Sequence, residues 1–345
     1  MTDPTEPPKA GKRKPTMAEV AELAGVSQAT VSMVMNDVGG SRVKAETAKA
    51  VRRAARTLGY SLNRRAPTGA GATQVIGYVI EDTFTNPLVN MAIEAARQTA
   101  WESGCVLLVL PTKGESRLRT AALEVLLEQR LAGVILSSLF TAEITLPRLL
   151  RSENTILLNC YTSSPRIPAV LPAHREGAIE GVRHLVQRGH RRIALINGLE
   201  TMEGFADRRA GFEAALQEHG IPVNSAHVKA GDLRVLDGQR ATAELMSEAN
   251  PPTAIFCASD QLALGCYEEL KSRGIKVGQD VAVMGFDNYP MARTLDPPLT
   301  TVAVPHAEMG EIAVRHLLAK RDGRKEDVIK GRCRVPTPLA VRDSA

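Results

Sequence analysis

Aromatic residues make up only 3% of the 345-residue chain, with a single Trp, and nowhere do eighteen apolar residues occur together. The second absence excludes a membrane-spanning helix. The opening MTDPTEPPKAGKRK carries Pro, Gly and charge but no apolar run, so neither a signal peptide nor an anchor can be built there, and a cytoplasmic location is expected. The five cysteines (Cys105, Cys160, Cys257, Cys266, Cys333) are odd in number, lie mostly in apolar runs and form no C-x-x-C pair. That pattern argues against a disulfide framework or a zinc centre and for buried free thiols. The motifs G-x-G-x-x-G, G-x-x-x-x-G-K-[ST] and G-x-S-x-G are missing, and the histidines, His184 and His190 among them, lack zinc spacing. No catalytic residue, cofactor or metal ligand is therefore assigned, and an enzyme is not expected.

What is present divides unevenly. Apolar residues (44%) suffice to fill two or three packing units. The net charge of +5 is concentrated at one end: residues 1–72 hold 12 Lys/Arg against 6 Asp/Glu, and the remainder is close to neutral. A basic opening segment on a near-neutral body suits a part that meets a polyanion, although a solvated basic tail has the same composition.

The hydrophobic period changes along the chain. From Met17 to Tyr60 it is helical: Val20, Leu23 and Ala24 share one face, Val31 and Val34 a second, and Val51, Ala55 and Leu58 a third. Ala21 is small where two helices approach, Gly25 can take the positive φ of a tight turn, and Ser27 is a natural N-cap, so the spacing predicts a helix-turn-helix. RAPTGAGATQ then reads as a linker. Beyond it come VIGYVI (75–80), VLLVL (106–110), GVILSS (133–138), TILLN (155–159), RIALIN (192–197), TAIFCAS (253–259) and DVAVMGF (280–286), near-continuous apolar runs alternating with helical segments. Such runs are strands of parallel sheets covered on both faces. Roughly ten units exceed one sheet of ordinary width, so two doubly wound parallel-sheet lobes with a ligand cleft between them are expected. The expected domains are a basic tail (1–15), an all-α helix-turn-helix headpiece (16–62), a linker (63–74) and the two-lobed α/β body (75–345).

The stretches AEVAELAGVSQATVS, LGYSLN, GHRRIALI, FADRRAGFEAAL, ASDQLALG, VMGFDN, PPLTTV and PTPLAVRDS, in that order, resemble the LacI/GalR family of bacterial transcription regulators over nearly the whole chain after the tail. The resemblance implies a periplasmic-binding-protein-like body and a homodimer, with tetramers also open. Its paired headpieces would bind a pseudo-palindromic double-stranded operator, with a small-molecule effector, a sugar or related metabolite, altering operator affinity by linkage. A helix-turn-helix presents the start of its second helix to base edges, and by resemblance Gln28, Ala29 and Met33 read bases while Ser27, Thr30, Ser32 and Asn36 hold phosphates. Where relatives usually carry Arg as the last base reader this chain has Met33, which removes a bidentate guanine contact worth about 1–3 kcal/mol of discrimination. The linker also departs: relatives insert a hinge-helix leucine into the minor groove, whereas no large apolar residue lies between Leu62 and Val75, and only Asn63 and Arg64 carry over. A flexible tether and a hinge helix are the two readings. Arg52, Arg53, Arg56, Arg64, Arg65 and the Lys12–Lys14 tail suit phosphates, Arg52 and Arg56 equally the wet side of the third helix.

In the body, ligands of open α/β lobes bind beyond the carboxyl ends of strands, which selects Asp82, Asp260 and Asp287. Resemblance assigns Arg208, Asp260 and Asp287 to the effector, with Ser259 and Phe84 beside them; for each Asp a helix N-cap is the alternative. Asn159–Cys160 and Ala173–His174 replace pairs that are usually Asp-Arg and Asp-Asn, leaving fewer charged acceptors and suggesting a less hydroxylated, or merely different, effector. Tyr161, Phe205 and Tyr289 suit either stacking on a ligand or rim packing, and Trp101 is expected in the core. Whether effector releases or recruits DNA stays open, as does a regulator without effector response. A sugar-binding protein or an enzyme on the same body would leave the headpiece unexplained.

Overall fold

The computed structural model describes residues 16–35, 43–58, 74–81, 87–151 and 153–345, leaving out the side chains of residues 45, 52 and 56. The chain divides into two compact units, Met1–Ala70 and Gly71–Ala345.

The first unit contains α1 (Met17–Ala24), α2 (Gln28–Met35) and α3 (Ala45–Leu58). Thr16 starts α1 with a reciprocal capping box to Glu19. Gly25 ends it at φ 65°, the left-handed conformation that a residue without Cβ adopts cheaply. Val20, Val31 and Val51, one from each helix, are fully buried and close the core with Ala21, Val34, Ala54 and Ala55. Leu23 corrects the expected face of α1: it is 53% exposed, because the inner stripe runs through Val20, Ala21 and Ala24.

The second unit begins with β1 (Gln74–Ile80), α4 (Pro87–Glu102), β2 (Cys105–Pro111), α5 (Ser116–Leu127), β3 (Leu131–Glu143), β4 (Thr155–Tyr161) and β5 (Ala169–Pro172). It continues through α6 (His174–Gln187), β6 (Ile193–Asn197), α7 (Glu203–Glu218), β7 (Val228–Ala230), α8 (Val235–Leu245), β8 (Ala254–Cys257), α9 (Asp260–Ser272), β9 (Ala282–Asp287) and β10 (Thr300–Ala303). α10 (His306–Arg321), β11 (Arg332–Val335) and β12 (Leu339–Ala340) complete it. Two six-stranded sheets result, in the orders β11-β5-β4-β3-β1-β2 and β12-β10-β9-β8-β6-β7. Among the described residues every strand pairing is parallel except β10 with β12. These are the two doubly wound lobes of a periplasmic-binding-protein-like fold. The strands too short for a period to register in sequence, β5, β7, β10, β11 and β12, extend both sheets.

The chain passes between lobes three times, from β5 into α6, from β10 into α10 and from β11 into β12. The first two passages each open a helix with a histidine, His174 and His306. One apolar cluster runs through both lobes, from Ile76, Ile135 and Ile156 to Phe212, Phe256 and Met284. Four of the five thiols are buried and Cys333 is half-buried; all are free. Trp101 corrects the sequence expectation. It is 66% exposed, since α4 turns Leu88, Val89, Ala92, Ala96 and Ala100 inward and Trp101 falls outside that stripe.

Candidate functional site

In the headpiece, Ser27 caps α2. Its hydroxyl accepts the Thr30 amide at 3.1 Å and pairs with the Thr30 hydroxyl at 2.9 Å. The helix then divides by side: Val31 and Val34 face the core, Gln28, Ala29 and Met33 are exposed, and Thr30 and Ser32 are half-buried. An eight-residue helix pinned by two valines offers its opposite face as a strip of exposed side chains. Arg53 on α3 is exposed as well. Asn36, Asn63, Arg64, Arg65 and the Lys12–Lys14 tail lie outside the described residues, as do the Arg52 and Arg56 side chains.

In the body, a cavity of about 390 Å³ opens between the lobes, within the range of small-molecule sites. It takes Leu139, Phe140, Thr141 and Asn159 from the first sheet, and Phe205, Arg208, Ser259, Gln261, Asp287 and Tyr289 from the second lobe. His174, Val304 and His306 come from the passages between them. Two of these residues sit in left-handed backbone, Asn159 near the carboxyl end of β4 at φ 56° and Asp287 at the end of β9 at φ 104°. Asn and Asp enter this region more readily than other non-glycine residues, and residues held there cluster at binding sites. The β3/β4 register also slips between Ser137 and Ala142, which carries Thr141 to the cavity wall.

Arg208 anchors the floor. Its guanidinium donates to Asp287 Oδ1 at 2.9 Å and to the Ala258 carbonyl, and lies over the Phe286 ring at 3.8 Å and near Phe205 at 4.9 Å. Both charges are costly here: burial pulls the Arg208 pKa down and pushes Asp287 up, the ion pair opposing each shift. Burial also depresses both histidines, His306 to about 4 and His174 well below the usual imidazole range, with the Arg208 charge adding to each. The histidines are neutral at physiological pH.

Asp260 departs from its sequence assignment. It is fully buried beneath the cavity rather than on its wall, with Oδ1 accepting from the Thr301 hydroxyl and Oδ2 from the Tyr289 amide, both at 2.6 Å. Burial and then the Asp287 charge raise it to about 8. It braces the loop after β9. Ser259, not Asp260, caps α9, accepting the Leu262 amide at 3.2 Å, and also lines the cavity. Asp82 and Phe84 lie outside the described residues. Tyr161 packs at the rim, its ring under Arg332 at 3.7 Å and its hydroxyl donating to Glu203 at 2.6 Å, while Phe205 and Tyr289 line the cavity. Sequence reading did not find Thr141, Asn159, His174, Gln261 or His306 as lining residues. For Asn159 and His174 the departures from the usual family residues marked the positions without giving a role.

Among the described residues no helix is long and apolar enough to cross a membrane, and no group of three or more His, Cys, Asp or Glu is placed to hold a metal. A helix-turn-helix unit carried in one chain with a two-lobed body enclosing a ligand-sized cavity defines a DNA-binding regulator with a sensor domain. Comparison with known proteins makes the assignment specific. Residues 16–63 match the model of bacterial regulatory proteins of the lacI family, and residues 182–345 that of the periplasmic binding protein-like domain. The chain is 32% identical over 336 residues to the HTH-type transcriptional regulator DegA of Bacillus subtilis, covering 96% of this chain and 98% of that one. It is also 32% identical over 337 residues to the sucrose operon repressor of Escherichia coli, at 95% and 99% coverage. Among solved structures it resembles the lac repressor dimer bound to operator and the anti-inducer ONPF (28% identity, TM-score 0.68, 96% and 99% coverage). The CelR–cellobiose complex is similar to the same degree (29% identity, TM-score 0.67, 96% and 100% coverage). The chain belongs to the LacI family; it is a transcriptional regulator with a DNA-binding helix-turn-helix and an effector domain, not an enzyme.

Proposed function

We propose that this regulator is a cytoplasmic homodimeric repressor that binds a pseudo-palindromic operator through α2 and releases or tightens its grip when an uncharged, hydrogen-bonding metabolite enters the cleft. On the DNA side, Gln28, Ala29 and Met33 meet base edges and Ser27, Thr30 and Ser32 meet phosphates, with Asn36, Asn63 and Arg64 in the roles the family resemblance gives them. Gln28 alone of the three base-facing residues can hydrogen-bond, so adenine is its natural partner, while Ala29 and Met33 offer only apolar contact.

The observation that carries the effector reading is charge balance in the cleft. Arg208 is closed on Asp287, Arg234 is paired with Asp232 at 2.9 Å and Asp237 at 3.2 Å, and both histidines are neutral. A charged ligand placed against the buried Arg208–Asp287 floor would therefore be desolvated with no unpaired opposite charge beside it among the described residues, which costs several kcal/mol; Arg234 and Asp232 are exposed at the rim and neutralise each other there. A sugar, a nucleoside or a similar neutral polar compound avoids that cost. Related proteins are named for such compounds, a sucrose operon repressor and a cellobiose complex among them.

Dimerisation is assigned to the β2 edge of the first lobe. Met91 and Trp101 on α4, Val106 on β2, and Leu118 and Val125 on α5 are exposed there, and the lac repressor relative is a dimer on its operator. Selection of bound duplexes from a random DNA pool tests partner, symmetry and half-site spacing together. Two inverted half-sites are expected. A pool that enriches no sequence, with sugars and nucleosides supplied as candidate effectors, would overturn the proposal.

A further inference from the structure

A chain of hydrogen bonds crosses the cleft, and its direction is forced from one end. Asn159 places its amide nitrogen against two backbone carbonyls, Ser138 at 3.2 Å and Leu139 at 2.9 Å. Carbonyls only accept, so that atom is the NH₂ and Asn159 Oδ1 faces Thr141. The Thr141 hydroxyl donates its one proton to Oδ1 at 2.6 Å, and must accept at its contact with His174 Nε2 at 3.1 Å. Nε2 therefore carries the imidazole proton. His174 Nδ1 lies 3.4 Å from Arg208 Nη2, a group that can only donate, so Nδ1 holds a lone pair. Arg208 spends its other Nη2 proton on Asp287 at 2.9 Å.

We propose that His174 is the positioning residue of the cleft: as the neutral Nε2–H tautomer it ties the Arg208 guanidinium in the second lobe to Thr141 and Asn159 in the first. The significance for effector sensing rests on reading the cleft as the effector site, and the bonding pattern does not. His174 opens α6 at the first passage between lobes, where a side chain touches both. A protonated ring would set Nδ1–H against an Arg208 N–H, donor against donor. The charged groups facing the ring, Arg208 from α7 and Arg334 from β11, oppose a second proton, and His306 from α10 opposes it only once it is itself protonated. Gly204 of α7 packs against the other side, where even a Cβ would lie 3.1 Å from Nε2, so the ring has little room to flip. Neither an Asn nor a Gln at 174 reproduces both ends. Asn reaches only as far as Nδ1 and Gln overlays Nε2.

The test uses the full unliganded chain with ¹⁵N-labelled histidine, the resonance being assigned by its loss in His174→Gln. The expected signature is an Nε2-protonated ring that does not titrate between pH 5.5 and 8. Thr141→Val should keep the tautomer and speed exchange of the Nε2 proton about fivefold to tenfold, the equivalent of one ordinary hydrogen bond. Hydrogen exchange should accelerate in both His174→Gln and His174→Asn at segments 138–143 and 203–208, one in each lobe. A ring protonated at Nδ1, a titration inside that window, or exchange changes confined to the first turn of α6 would overturn the proposal. If neither 174 variant folds, Thr141→Val reads the same chain from its other end. No readout needs an effector, so a protein that binds no metabolite would sink the functional reading and leave this result standing.

Discussion

Replacing Arg208 by Met removes a buried cation but keeps much of its volume. Asp287, with 15% of its side chain exposed, then loses its ion-pair partner. Breaking one side of a buried pair costs about 3–5 kcal/mol, a large fraction of a domain's stability. Most of that cost is the stranded carboxylate, so Arg208→Met combined with Asp287→Asn should recover at least about 2 kcal/mol of it. The pH dependence follows from the direction of the Asp287 shift. Burial already raises this carboxyl above its unfolded value, and Arg208 is what lowers it. Without Arg208 it rises further, and a group whose folded pKa is raised weakens the fold as pH climbs from the unfolded value to the folded one. The single variant should therefore be nearest to the parent at pH 5 and furthest at pH 8. Urea unfolding of the parent, both singles and the double at these two pH values measures the cycle. Additive losses, or a loss equal at both pH values, would refute the assignment of Arg208 as the counter-ion that holds Asp287 charged in the floor.

Asp260, raised to about 8 by burial, predicts a second pH effect. Its contribution to stability should decline as pH rises from about 4 towards 8 and level off above, while Asp260→Asn, which mimics the protonated acid, lacks this slope; thermal unfolding of the two proteins across pH 5–9 compares them. Gln28→Ala should weaken binding to the selected duplex by about 1–3 kcal/mol at one base pair of each half-site, and an equal loss on all sequences would make it a backbone contact. Trp101→Glu with Val125→Glu should shift the protein towards monomer in sedimentation velocity; an unchanged dimer would move the interface elsewhere.

Much of this protein is written locally. Gly25 and Ser27 announce a turn and a cap two residues apart, and Val31 and Val34 against Gln28, Ala29 and Met33 give the inner and outer sides of α2 from helical spacing alone. Continuous apolar runs identified the long buried strands, and Arg208 with Asp287 stood out as charges beside them. The chain could not announce what depends on folding at a distance. Nothing local tells Trp101 that its position on α4 faces outward, or Asp260 that the loop after β9 closes over it. His174 and His306 are far apart in sequence and meet because two separate passages between lobes each begin a helix at the same cavity. Short-range spacing reports which face a residue takes within its element, while packing of one element on another decides which faces are covered and which polar groups converge.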